Sequence, residues 1–152
     1  MIENIMSKNL ITAQKNSTIW ECATLMKKHD IGFLPIYDNK KLIGVITDRD
    51  IVIRVISENY DLNSKVHKFM SDKIKHMDIN KTVKELIEKM AEEKIKRILI
   101  SENKKIIGVV SLSNIFDYYK EKNEIVNLLS QIDTIKSIHA YKHDTDVSDF
   151  PL

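Results

Sequence analysis

The spacing of hydrophobic and polar residues predicts a helix, two strands and a second helix, in that order. The first element has apolar side chains every three or four positions, at Ile19, Cys22, Ala23 and Met26. This period is typical of an amphipathic helix. Two short apolar runs follow at 33–37 and 42–46, and the polar link between them suits the turn of a hairpin. A second helix is predicted over residues 48–58.

The same pattern returns 64 residues later without an insertion or a deletion. Residues 2–51 and 66–115 share 15 identities in 50 positions. A repeat of this kind indicates two copies of one supersecondary unit that fold together, since a half of this size buries too little surface alone. We divide the chain into repeat 1 at 1–60, repeat 2 at 61–122, and a C-terminal helix with a polar tail at 123–152.

The second copy predicts the same elements at the shifted positions. Its first helix has the apolar positions Val83, Leu86, Ile87 and Met90. Strands are predicted at 97–101 and 106–110, and a helix at 112–122. Short strands are also predicted at 10–13 and 74–77, ahead of the first helix of each copy. Each copy is therefore a β-α-β-β-α unit, which predicts an α/β (α+β) fold of two small sheets related by a pseudo-two-fold axis.

The starts of the first helices carry a capping pattern. Thr18 precedes Glu21 by three residues, and Thr82 precedes Glu85 by the same spacing. A hydroxyl followed three residues later by a carboxylate supplies acceptors to the unpaired amides of a helix start. We therefore expect the helices to begin immediately after these two threonines.

Composition and charge exclude several classes of protein. Hydrophobic residues make up 43% of the chain and charged residues 30%, which argues for a folded domain. The net charge is +2, with both signs interspersed, so neither nucleic acid nor an anionic membrane is an expected partner. No apolar run reaches the roughly 20 residues of a membrane span. The single cysteine and the absence of a secretion signal lead us to expect a cytoplasmic protein.

Each copy has Met-Ser near its start and closes with a glycine-led segment that runs into the second helix. The closing segments are Gly44-Val45-Ile46-Thr47-Asp48-Arg49-Asp50 and Gly108-Val109-Val110-Ser111-Leu112-Ser113-Asn114. With the strand Phe33-Leu34-Pro35-Ile36, this tandem resembles the paired cystathionine beta-synthase (CBS) domains known as a Bateman module. The likeness covers residues 1–119 and points to a stand-alone, bacterial-type CBS domain protein.

The closing segment suits a ribose or a phosphate, because glycine permits close approach of the backbone to a ligand and a helix start offers free amides. The resemblance implies that the hydroxyl residue and the acidic residue three later hold the ribose, with adenine against apolar residues and strand backbone. The nucleotide-binding residues it implies are Thr47, Asp50, Arg49, Lys96, Arg97, Phe33, Leu34 and Pro35. Their second-site counterparts are Ser111, Asn114, Ile98 and Leu99.

The two copies differ just before this apolar strand, where Lys96 and Arg97 stand opposite Gly32 and Phe33 of the first copy. The resemblance implies that basic residues here reach phosphates held mainly by the other repeat. We therefore expect Lys96 and Arg97 to face the Thr47 side and form one competent site. The other site is expected to be degenerate or differently used, because the amide of Asn114 replaces the commoner carboxylate.

A simpler interpretation exists for each of these residues. Thr47 with Asp50 also fits a helix cap. Lys96 and Arg97 fit a solvated strand end, and Arg49 fits an exposed helix position. These alternatives stay open on the sequence alone.

Two hypotheses follow for the function. The first is a non-enzymatic regulatory sensor that binds an adenosyl ligand, namely AMP, ADP, ATP or S-adenosylmethionine, between the repeats. The second is a ligand-free CBS scaffold that dimerises and binds an unidentified protein partner. Asn114 and the uncharged pair Gly32-Phe33 favour it. Trp20 and Leu25 offer a surface for partner contact, because they stand where the second copy has Lys84 and Lys89. The resemblance also implies a homodimer formed through the helices.

Other residues that could suggest catalysis or metal binding are assigned structural roles or no site at all. Cys22 lies on the apolar helix face and is expected to be a core side chain rather than a nucleophile. His139 and His143 have a loose metal-ligand spacing in the predicted tail, and no metal site is expected. The three glycines, all outside any glycine-rich loop, exclude a phosphate loop of the nucleotide-hydrolase type.

Overall fold

The computed structural model describes residues 1–121, and the predicted C-terminal helix and tail lie outside this range. Repeat 1 contains β1 Ala13–Gln14, α1 Ile19–His29, β2 Phe33–Asp38, β3 Lys41–Thr47 and α2 Asp48–Ile51. Repeat 2 contains β4 His76–Asp78, α3 Val83–Glu92, β5 Arg97–Glu102, β6 Lys105–Ser111 and α4 Leu112–Glu121. The predicted order and the mixed α+β class are confirmed. Within this part of the chain, no helix is long and apolar enough to cross a membrane.

Each repeat forms one three-stranded sheet. The strand orders are β1-β2-β3 and β4-β5-β6, with the first pair parallel and the second antiparallel. The registers are the same after a shift of 64 residues, since Phe33 pairs with Thr47 and Arg97 pairs with Ser111. The two repeats are therefore copies in three dimensions as well as in sequence.

The first helices begin where the capping pattern predicts. The Glu21 amide donates to Thr18 Oγ1 over 3.1 Å, and the Thr18 amide donates to Glu21 Oε2 over 2.7 Å. Thr82 and Glu85 form the same pair of bonds. The Lys81 ammonium and the Thr82 donors stabilise the ionised carboxylate and lower the pKa of Glu85 to about 2.

The second helix of repeat 1 departs from the prediction of one continuous helix over 48–58. It is a single α-helical turn, α2, followed by a π-helical segment at Val52–Ile56. The Ser57 amide donates to the Val52 carbonyl over 3.0 Å, which is the wider spacing of a π-helix. β-Branched side chains fill four of the five positions of this segment and crowd an α-helical turn. The corresponding part of α4 is regular.

The opening segments of the two repeats are exchanged. Ile2 and Ile5 are buried in the core of repeat 2, whereas Val66 and Phe69 are buried in the core of repeat 1. Reciprocal backbone hydrogen bonds fix this arrangement, joining Ser7 to Val109 at 2.9 and 3.1 Å and Ser71 to Val45 at 2.8 and 2.9 Å. The halves are thus bound to each other by their own first residues.

Glycine is required where each exchanged segment crosses the other sheet. A Cβ at Gly44 would lie 2.8 Å from the Ser71 carbonyl oxygen, and one at Gly108 would lie 2.8 Å from the Ser7 carbonyl oxygen. We expected these glycines to admit a ligand. The structure corrects that role, because both positions lie against backbone of the other repeat.

Candidate functional site

The predicted ribose-binding pairs lie where a strand runs into a helix. Thr47 ends β3 before α2, and Ser111 ends β6 before α4. The Asp50 amide donates to Thr47 Oγ1 over 3.1 Å, and the Thr47 amide donates to Asp50 Oδ2 over 2.9 Å. Ser111 and Asn114 form the equivalent bonds at 3.2 and 3.0 Å. The helix-cap interpretation is confirmed at both junctions, so any ligand contact is additional to capping.

The Asp50 carboxylate has a further partner that its counterpart lacks. Its Oδ1 lies 3.3 Å from Arg54 Nη2, and Arg54 Nη1 donates to the Phe69 carbonyl over 2.8 Å. Arg54 therefore links the carboxylate to the exchanged opening segment of repeat 2. The side chain of Asp50 stays 19% exposed, which leaves its oxygens accessible to a small donor.

A cleft of about 230 Å³ opens beside Ser111 and is lined by both repeats. We call it the Ser111 cleft. Its apolar lining is Leu10, Ile11, Ile31, Phe33, Pro35 and Val109. Its polar lining is Ser7, Asn9, Ser111, Ser113 and Asn114, with the charged residues Asp30 and Arg97. This volume lies just below the range of about 300–1,000 Å³ that is common for ligand pockets, so the cleft would hold only part of a nucleotide.

The cleft contains part of the predicted set. Phe33, Pro35, Arg97, Ser111 and Asn114 line it together. Arg97 lines this cleft beside Ser111, because these two residues are paired across β5 and β6. Its expected position facing the Thr47 side stays a prediction. The cleft thus has a cation next to its hydroxyl group.

Other predicted residues do not line this cleft. The side chains of Leu34 and Ile98 belong to the two hydrophobic cores, and Leu99 is fully buried. Lys96 is exposed, and its carbonyl accepts from the Leu112 amide over 3.1 Å. Thr47, Arg49 and Asp50 occupy the equivalent junction of repeat 1.

Sequence reasoning missed Ser7, Asn9, Asp30 and Ser113 as lining residues. The opening segment enters the cleft because it crosses to the other repeat, and no local pattern reveals that crossing. Asp30 lies at the end of α1 with a left-handed backbone, φ 51°. The sequence signal that could have identified Asp30 as a lining residue was its position just before the predicted strand at 33–37.

The assignments made for isolated residues have mixed outcomes. Cys22 is fully buried, and burial raises the pKa of its thiol to about 11, so the core interpretation is confirmed. Trp20 is exposed, whereas Leu25 packs against the core of repeat 1 and is removed from the exposed set. Residues 1–121 contain no group of three or more potential metal ligands. His139 and His143 lie outside the described residues.

Comparison with known proteins settles the family. The sequence pattern of the CBS domain matches residues 2–57 and again residues 66–121. The chain belongs to the CBS domain family. It is 30% identical over 114 residues to the CBS domain-containing protein YhcV of Bacillus subtilis, covering 75% of this chain and 81% of that protein. The resemblance derived from the repeat is therefore confirmed as two CBS domains in tandem.

Solved structures of CBS proteins share this fold. The crystal structure of an uncharacterized conserved protein from Pyrococcus horikoshii has a TM-score of 0.74 and 30% identity, covering 77% of this chain and 89% of that chain. The CBS domain pair of protein MJ0100, solved with 5′-methylthioadenosine and S-adenosyl-L-methionine, has a TM-score of 0.71 and 27% identity, covering 80% and 97%. Two relatives with enzyme names are matched over only 24% and 22% of their own length.

Proposed function

We propose that this chain is a non-enzymatic regulatory module that binds an adenosyl ligand between its two CBS repeats. The observation that carries the proposal is the composition of the Ser111 cleft. Phe33 and Pro35 offer an apolar surface for a flat base, while Ser111 and Asn114 offer a hydroxyl and an amide to a sugar. The CBS pair of MJ0100, solved with two adenosyl compounds, supports the same ligand class.

Regulation would follow from the position of the cleft between the repeats. A ligand there contacts the opening segment near Ser7, strand β2 of repeat 1, and the junction of β6 with α4 in repeat 2. It binds the conformation in which these three parts are close together, and so shifts the population toward that conformation. The response passed to a partner is this change in the relative position of the repeats.

The first test is a calorimetric titration of nucleotide-free protein with 5′-methylthioadenosine, S-adenosylmethionine, AMP, ADP and ATP. We expect saturable binding of at least one of these ligands. Ser113 is an exposed residue of the cleft lining. Ser113→Trp should therefore abolish binding in the Ser111 cleft, because the indole fills the space that the ligand would occupy. At a ligand concentration of 100 times Kd, the ligand should stabilise the wild-type fold by about 2.7 kcal/mol.

Asp117→Trp is the matched control for this experiment. Asp117 is also exposed on α4 but does not line the Ser111 cleft. The Asp117→Trp variant should therefore bind ligand with the affinity of the wild type. The proposal is abandoned if no adenosyl compound binds at millimolar concentration, or if the two tryptophan variants bind every one of these ligands alike.

A second function, assembly of two copies, is favoured by an exposed apolar face on repeat 1. Its members are Trp20, Val52, Ile53, Ile56, Tyr60 and Leu62, each at least 43% exposed. The Trp20 amide donates to the Leu62 carbonyl over 3.0 Å. This bond holds the first and the last of these residues in the sequence beside each other. Apolar faces of this kind mark contact surfaces. We propose that this face joins the chain to a second copy as a homodimer.

Light scattering of the wild type and the double variant Trp20→Lys, Ile56→Lys tests this assembly. The counterparts in repeat 2 are Lys84 and Lys120, so lysine is compatible with both helical positions. We expect a dimer for the wild type and a monomer for the variant, because burying two unpaired charges opposes association. A wild type that remains monomeric at high micromolar concentration contradicts the proposal.

A further inference from the structure

Each residue that lines the Ser111 cleft has a counterpart 64 positions away. The structure preserves the relation between counterparts, since the bonds of Ser7 to Val109 recur between Ser71 and Val45. The strand registers and the irregularities within them recur with the same shift. Through this relation, the counterparts of the lining residues assign a second ligand position at the Thr47 junction, which we call the Thr47 cleft.

Phe33 and Arg97 are counterparts of each other, and both line the Ser111 cleft. The shift of 64 residues that relates the two repeats converts each of these residues into the other. Phe33 and Arg97 are therefore the lining residues that the repeat assigns to both clefts. The remaining residues differ between the clefts, and they decide what distinguishes one from the other.

The two clefts differ in charge. The charged residues of the Ser111 cleft are one carboxylate, Asp30, and the guanidinium of Arg97. At the positions of Asn9, Ile11, Asp30 and Ser113, the Thr47 cleft has Lys73, Lys75, Lys94 and Arg49. Lys75 is paired with Glu93 at 2.6 Å, which offsets its charge. The other three cations remain, together with Arg97, against the single carboxylate of Asp50.

The clearest contrast is between Asp30 and Lys94. Both residues follow the first helix of their repeat, and both have a left-handed backbone, with φ 51° and φ 53°. The two repeats thus have side chains of opposite charge at equivalent positions with the same backbone conformation. A carboxylate at this position repels a phosphate chain, whereas an ammonium attracts it.

We propose that the two clefts select ligands by the charge of the group attached to the adenosyl part, an inference that rests on the proposed function. The Thr47 cleft takes an adenine nucleotide with a polyphosphate chain. The Ser111 cleft takes an adenosyl compound with an uncharged or zwitterionic tail. The protein then responds to two classes of adenosyl ligand at once, because both clefts lie between the same two repeats.

Titration of the full chain with ATP and with 5′-methylthioadenosine tests this division, using Lys94→Asp and Asp30→Lys. Each variant introduces the residue that the other repeat has at the same backbone conformation, and a thermal melt verifies that it folds. In the wild type, saturation with one ligand should leave the affinity for the other within a few-fold. Lys94→Asp should weaken ATP binding by about tenfold or more and leave 5′-methylthioadenosine unchanged.

Asp30→Lys should leave ATP binding in the Thr47 cleft intact and add a second, weaker ATP site. Raising the salt concentration should weaken ATP binding more than 5′-methylthioadenosine binding. Competition between the two ligands for one site, or equal effects of Lys94→Asp on both, overturns the division while the proposed function stands. If neither ligand binds, the proposed function fails and the division fails with it.

Discussion

Replacing Gly108 by alanine is expected to lower the free energy of unfolding by about 1–3 kcal/mol, the usual cost of overpacking a close contact. The added Cβ would lie 2.8 Å from the Ser7 carbonyl oxygen and 3.1 Å from Met6 Sδ. The methionine side chain can move, but the carbonyl is held by the Val109 amide over 3.1 Å. The exchanged segment must therefore shift away from the sheet. In a chain of this size, the melting temperature falls by roughly 2–4 °C per kcal/mol.

Gly44→Ala should have a similar effect, because its Cβ would lie 2.8 Å from the Ser71 carbonyl oxygen. Gly32→Ala is the matched control. Its Cβ would overlap the carboxylate of Asp48, but that group ends an exposed, flexible side chain and can rotate away. We expect a change within about 0.5 kcal/mol there. Equal melting temperatures for all three variants contradict the packing argument.

Replacing Asp50 by alanine is expected to weaken ligand binding in the Thr47 cleft by about 10- to 150-fold. This corresponds to the loss of a hydrogen bond to a charged acceptor, about 1.5–3 kcal/mol. The substitution also removes the bond from the Thr47 amide, which measures 2.9 Å. The Thr47 hydroxyl still accepts from the amide of residue 50, so only this half of the capping box is lost, at a cost of about 1 kcal/mol of stability. Calorimetric titration with ATP and a thermal melt measure the two effects separately.

Asp50→Asn separates the cap from the ligand contact. Asn114 shows that an asparagine at this position preserves the cap, since its Oδ1 accepts from the Ser111 amide over 3.0 Å. The variant should therefore melt close to the wild type yet bind ATP more weakly. The reverse change, Asn114→Asp, adds a charged acceptor and should strengthen binding of a sugar hydroxyl in the Ser111 cleft. Unchanged ATP affinity in both Asp50 variants would leave Asp50 with the role of a cap alone.

The elements of the fold could be predicted because each has a local cause. Thr82 and Glu85 specify a helix start through bonds within four residues, and the hairpin registers follow from alternating apolar positions and short links. The tandem repeat supplied further support, since both copies predict the same elements in the same order.

The exchange of the opening segments could not be predicted from these patterns. Ile2 and Val66 are apolar residues in either arrangement, and the partner core for each is chosen by packing between distant parts of the chain. The role of Gly108 depends on that choice, as does the entry of Ser7 into the cleft. The π-helical segment at Val52–Ile56 was also missed, because period alone does not distinguish it from an α-helix.

The exchanged segments also bear on how such a chain can arise. A single repeat would have its opening isoleucine or valine without a core to enter, and its closing strand would lack the bonds that Ser7 or Ser71 supplies. Two separate copies could satisfy both needs by trading segments across a symmetric dimer. Joining them in one chain replaces a bimolecular encounter with a tether of high effective concentration. Duplication then frees the copies to diverge, so that Asp30 and Lys94 can carry opposite charges on one backbone path.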